Sequence, residues 1–260
     1  MTTTTPTKPL DCIYQTVPAT TRIPLEFDRH YLAYAAEGVM HLSTDEHTWS
    51  LQPTNAAWIP AHTRVEATVP SSIVCCSLLL DTTLPMSLPD TVQVIELSAM
   101  AREMVLHCRR WQHDEAAFTE PDYRFLTVLL DTVSGCVVSG NNDWIPNGRT
   151  AIVQRAITAT RRLASTDVAL ADIAATAHAS ARTLSRRIRD ETGMSWSSLL
   201  RRIRIIMARE QLATTDIPIT DIAAAVGYAS QSAFNRAFRA DTGMAPAEFR
   251  ASRLNRASSS

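Results

Sequence analysis

The chain has 260 residues, 45% of them hydrophobic and 20% charged, a balance that fits a soluble globular protein of one large or two ordinary domains. Its longest apolar runs, such as residues 73–80, are too short to span a bilayer, and its start, MTTTTPTKPLD, lacks the basic and apolar sections of a secretory signal. The net charge of −1 hides a split: residues 1–150 hold 9 basic and 17 acidic residues (net −8), and residues 151–260 hold 16 arginines and 9 acidic residues (net +7). A basic C-terminal half is the electrostatic signature of a polyanion-binding domain.

Residues 1–20 read as a tail, with Thr, Pro and Lys at 1–11 offering almost nothing to bury. From about 22 to 96 the text is short β segments broken by prolines: 31–35, 39–43, 48–51, 56–59, 64–69, 73–80 and 92–96. Closely spaced short strands predict a small antiparallel barrel or sandwich. Residues 97–111 and 121–138 carry apolar side chains at helical spacing. The second of these helices presents Phe125, Leu129, Thr132 and Val133 either to its own barrel or to a dimer seam. The turn-rich stretch 139–147, SGNNDWIPN, marks the domain boundary, and everything after it reads as helix. Five cysteines, Cys12, Cys75, Cys76, Cys108 and Cys136, form no C-x-x-C pair and argue for free thiols in a reducing, cytoplasmic compartment.

The back half repeats itself. DIAATA from Asp172 returns as DIAAAV from Asp221, 49 residues on; RRIRDETGM from Arg186 returns as RAFRADTGM from Arg236, 50 residues on. The one-residue difference falls where a turn should sit. Each copy reads as helix, turn, helix: residues 170–177 then 181–192 in the first, and a helix capped by Thr220 then 231–242 in the second. Ser180 and Ser230 stand as N-caps, Gly227 supplies a left-handed turn, and Gly193 and Gly243 end the second helices. At 100° per residue, Leu184 and Ile188 take one face of the first such helix. Arg182, Ser185, Arg186 and Arg189 take the opposite face. In the second copy Phe234 and Phe238 point inward, and Ser232, Asn235, Arg236 and Arg239 point outward, with Gln231 at the edge. Arg can pair with guanine, and Asn or Gln with adenine, in the major groove. Between the copies, residues 195–212 read as a spacer helix whose Leu199, Leu200, Ile203, Ile206, Met207 and Leu212 pack on both. Its Arg201, Arg202, Arg204 and Arg209 are available to phosphate.

Over residues 150–254 the chain resembles the AraC/XylS regulators. The resemblance rests on Gly227, Tyr228, Ser230, Phe234, Arg236, Phe238, Arg239, Gly243, Pro246, Phe249 and Arg250, and on the phrase SARTLSR from Ser180. His178 departs from the family pattern, standing where glycine is common in a turn one residue shorter. The N-terminal half resembles the cupin-like barrel of such regulators through EGVMH from Glu37, WSLQP from Trp49 and AWIP from Ala57. The resemblance implies an α+β chain of two parts: a cupin-like sensor or dimerisation domain at 21–140 and a DNA-binding domain at 150–254, with helix-turn-helix units at about 170–193 and 220–243. It implies a transcription regulator, activator or repressor, bound to double-stranded promoter or operator DNA. A small effector, a second copy of the chain and, for an activator, RNA polymerase would be its other partners. Trp49 and Trp58 either line an effector pocket or serve core packing or an exposed strand face.

The competing reading is a metal-dependent cupin enzyme with a helical appendage. The ligand pattern for it is not met: His41 and His47 lie six apart with Glu46 beside one, and His62 follows Pro60 too closely. The chain therefore reads as a non-enzyme without a metal or other cofactor.

Overall fold

A computed structural model describes residues 8–85, 88–112, 116–136 and 144–257, with 252–257 by backbone alone. The chain divides into two compact units: Met1–Leu42 with Ser50–Asn141, and Ser43–Trp49 with Asn142–Ser260.

Among the described residues the N-terminal half carries nine strands: β1 (Leu10–Val17), β2 (Thr20–Leu25), β3 (His30–Glu37), β4 (Met40–Ser43), β5 (His47–Leu51), β6 (Asn55–Ile59), β7 (Val65–Val69), β8 (Ile73–Leu80) and β9 (Gln93–Glu96). One antiparallel sheet runs β1-β8-β3-β6-β9. A second sheet contains β2, β4 and β7, with β2 antiparallel to β7. Alternation along β8 decides which side is buried where: Cys76, Leu78 and Leu80 join the main core, while Cys75 and Ser77 bond each other on the opposite face. The core is closed by Ala101 and Val105 of α1 (Ala99–His107) and by Leu126, Leu129, Leu130 and Val133 of α2 (Glu120–Ser134).

Three expectations are corrected here. The tail does not extend to residue 20: β1 pairs along its full length with β8, because Leu10 and Cys12 alternate into the core. β2 begins at Thr20, on the last residue of the supposed tail; residues 1–7 lie outside the described residues. The boundary stretch is not all turn, since Trp144–Pro146 forms β10, paired with β5 so that Trp144 faces Trp49. Finally, the helix expected to run to residue 138 stops at Ser134, and Val137 and Val138 lie outside the described residues. Of the two placements expected for this helix, α2 takes the one in which Leu129 and Val133 enter its own core, because those positions sit opposite the charged face of Glu120, Arg124 and Asp131.

The second unit is helical beyond β10: α3 (Ala151–Leu163), α4 (Leu170–Thr176), α5 (Ala181–Thr192), α6 (Trp196–Thr214), α7 (Ile219–Ala225), α8 (Gln231–Thr242) and α9 (Pro246–Ala257). Two cores form in it. Val153, Ala156, Ile157, Ile173, Ala174, Leu184 and Ile188 build the first, and Ile222, Ala223, Val226, Phe234, Phe238 and Phe249 the second. α6 serves both: Leu199, Leu200, Ile203 and Ile206 enter the first, Ile205, Ala208 and Leu212 the second, and Met207 packs against each. α3-α4-α5 is thus repeated by α6-α7-α8.

Candidate nucleic-acid interface

The two second helices are built from the same local parts. Ser180 Oγ accepts from the Thr183 N–H at 3.2 Å, and Ser230 Oγ from the Ala233 N–H at 3.2 Å, so each satisfies a donor left free at its helix start. Gly193 (φ +70°) and Gly243 (φ +77°) end the helices in left-handed conformation, their N–H groups donating at 2.9 Å to the backbone carbonyls of Arg189 and Arg239 respectively. Thr192 and Thr242 follow suit, each bonding back to the carbonyl four residues earlier.

The turns also match, which resolves the oddity at His178. His178 adopts φ +56° and Gly227 φ +86°. The His178 and Ala179 N–H groups donate to Ala175 O and Ala174 O; the Gly227 and Tyr228 N–H groups donate to Ala224 O and Ala223 O. A histidine is therefore held in the backbone conformation that glycine adopts freely. The loop that follows is one residue shorter in the first unit, as the repeat offset requires. One cap differs from expectation: α7 begins at Ile219 behind Pro218, not behind Thr220. The fixed φ of Pro218 presets the helix entry two residues earlier.

On α5, Leu184 and Ile188 are fully buried, and Arg182, Ser185, Arg186 and Arg189 are exposed. On α8, Phe234 and Phe238 are fully buried, and Gln231, Ser232, Asn235, Arg236 and Arg239 are exposed. All nine side chains named from the sequence lie on solvent-facing surfaces. Among the described residues, Arg182, Arg186, Arg189 and Arg236 form no ion pair. Arg239 lies 3.7 Å from Glu248, with both side chains more than half exposed, a pair too wet to hold it firmly.

The spacer arginines divide differently. Arg201 is exposed. Arg202 stacks over Trp144 at 4.5 Å, Arg204 over Tyr228 at 5.6 Å, and Arg209 over Phe249 at 5.3 Å. Arg204 also donates from Nε to Ala164 O at 2.8 Å and from Nη2 to Thr166 O at 2.9 Å. Arg202, Arg204 and Arg209 are therefore engaged by the protein itself.

Of two equivalent acids overlooked as site residues, one anchors its helix by hydrogen bonds. Glu191 near the end of α5 accepts from the Arg149 and Thr150 N–H groups and the Thr150 hydroxyl at 2.7–2.9 Å, tying α5 to the start of α3. Desolvation pushes its carboxyl up, but these donors outweigh it and hold the group below its ordinary range. The equivalent Asp241 on α8 sits among Arg209, Arg202 and Arg201 of α6, with burial pushing its carboxyl up. The acid preceding TGM in both repeats was the legible signal.

Elsewhere, Trp58 is 1% exposed, packed in the core with its Nε1 donating to Pro89 O, and Trp49 is 8% exposed. His47 sits edge-on to Trp144 at 4.4 Å, and burial lowers its pKa. Among the described residues no three His, Cys, Asp or Glu side chains are grouped to hold a metal ion. None of the described helices is long and apolar enough to cross a membrane.

A helix-turn-helix domain model matches residues 173–252, from α4 into α9. The C-terminal domain of AraT, a response regulator from Geobacillus stearothermophilus, is 37% identical; the match covers 40% of this chain and 87% of that one, with a TM-score of 0.39. The chain belongs to the AraC/XylS family. This AraC/XylS regulator is also similar to the DNA-binding domain of AdpA, solved in complex with a target DNA, at 27% identity over 41% of this chain and 96% of that one (TM-score 0.40). ToxT from Vibrio cholerae is similar at 13% identity over 94% of this chain and 98% of that one (TM-score 0.39). Comparison with curated protein sequences gives no match. As an AraC/XylS member the chain is a DNA-binding transcription regulator, and the metal-dependent enzyme reading is not favoured.

Proposed function

We propose that residues 150–254 act as one DNA-reading domain in which α5 and α8 enter two successive major-groove segments. Arg182, Ser185, Arg186 and Arg189 face the first segment; Gln231, Ser232, Asn235, Arg236 and Arg239 face the second. Arg186, Arg236, Asn235 and Gln231 have the donors and acceptors to read base edges, and the remaining arginines and the helix N-termini grip phosphate. The observation that carries this reading is the pairing of two helices with identical caps, identical buried positions and outward faces of exposed arginine. α6, about 28 Å long for its 19 residues, is a spacer of suitable length for grooves about 34 Å apart.

Arg186→Ala and Arg236→Ala each weaken binding to a preferred duplex by about 1–3 kcal/mol if they read bases, and relax sequence preference at separate positions. A double variant with an unchanged footprint refutes the assignment.

The N-terminal unit, which has a core of its own, is proposed as the regulatory part that takes a small effector or a second copy of the chain. RNA polymerase is a further partner if the chain activates. Duplex affinity measured with and without candidate effectors, beside sedimentation of the free chain, tests both.

A further inference from the structure

We propose that Arg204 is the positioning residue that fixes the angle between the two helix-turn-helix units; the inference rests on the two-segment reading above. α6 carries the two cores on nearly opposite faces, Leu199, Ile203 and Ile206 on one and Ile205, Ala208 and Leu212 on the other, so the angle between the units also depends on contacts that cross from one to the other. Arg204 stands midway along α6 and reaches both sides. Its Nε and Nη2 grip Ala164 O and Thr166 O, the carbonyls that follow α3, in a two-pronged hold. Its guanidinium lies over the ring of Tyr228, in the turn before α8. The turn also comes close to the first half directly: a Cβ on Gly227 would stand 2.4 Å from Ala164 O and 2.9 Å from Arg204 Nη2. The end of α3, the middle of α6 and the α7–α8 turn thus meet at one guanidinium. Removing it leaves each unit's own core intact and loosens only their mutual setting.

The test uses the full chain, a duplex selected for tight binding by that chain, the same duplex with two base pairs inserted between the protected segments, and a duplex carrying one segment only. Two base pairs turn the second segment by roughly 70° at 10–10.5 base pairs per turn. The parent chain is expected to lose at least tenfold in affinity on insertion. Arg204→Gln is expected to lose less than threefold, with affinity for the one-segment duplex within twofold of the parent. Arg204→Lys keeps the charge and one donor and falls between.

A folded Arg204→Gln chain with the parent's insertion penalty, or with equal loss on all three duplexes, overturns the inference. If Arg204→Gln does not fold, Arg204→Lys decides on the same criteria. A parent chain that protects a single segment refutes the two-segment reading instead, so the two failures are distinct.

Discussion

Gly227 and His178 occupy equivalent turns, and substituting them is expected to change stability in opposite directions. Gly227→Ala puts a Cβ on a residue at φ +86°, which costs about 1–2 kcal/mol for an L side chain. The new methyl would also lie 2.4 Å from Ala164 O, a backbone atom that cannot swing away. Relief requires the turn to separate from the end of α3, loosening the bond from Arg204 Nε to that oxygen, at a further cost of about 1–3 kcal/mol. The total is about 2–5 kcal/mol, a large share of the roughly 5–15 kcal/mol that holds a domain folded. His178→Gly removes a Cβ from the left-handed conformation and is expected to stabilise by about 0.5–1 kcal/mol, after the greater freedom of glycine in the unfolded chain is subtracted. Urea titration of both variants, followed by the helical circular dichroism signal, gives the two values. A loss under 1 kcal/mol for Gly227→Ala, or any loss for His178→Gly, refutes the claim that the two turns share one backbone geometry.

Removing a serine cap, by Ser180→Ala or Ser230→Ala, is expected to cost about 1 kcal/mol each, read by the same titration. Because its folded pKa is depressed, Glu191 contributes stability that is present above the unfolded carboxyl value, about 4.3, and is lost as pH falls through the folded one. Glu191→Gln should therefore flatten the acid side of the stability profile, and an unchanged slope between pH 5 and 3 would contradict the anchoring role. Cys12, Cys75, Cys76 and Cys108 are buried and Cys136 is only partly so. Brief alkylation of the native chain followed by peptide mapping should find Cys136 modified first, and early labelling of Cys108 would contradict the packing of α1.

Local chemistry was legible in the sequence and distant pairing was not. Ser180, Ser230, Gly193 and Gly243 act within four residues of themselves, so their roles follow from spacing alone. The outward arginines of α5 and α8 were legible because Leu184, Ile188, Phe234 and Phe238 fix the inward direction. β1 was missed because its partner, β8, lies about sixty residues away, and Pro9, Asp11 and Gln15 mask the alternation of Leu10 and Cys12. β10 is three residues long with a proline, and only the backbone of β5 opposite makes it a strand. Arg202, Arg204 and Arg209 looked like phosphate contacts because nothing near them in the chain shows that Trp144, Ala164, Tyr228 and Phe249 come to meet them. The structural equivalence of His178 and Gly227 was equally hidden, since it is a matter of φ rather than of residue type.

The most direct test of the central claim is methylation interference at guanine N7 with the full chain on a selected duplex, repeated across a salt series. Two clusters of interference in the major groove, about one helical turn apart, with affinity falling steeply and log-linearly with salt, are the predicted result. Interference confined to one cluster or to the minor groove, or binding indifferent to salt, would contradict it.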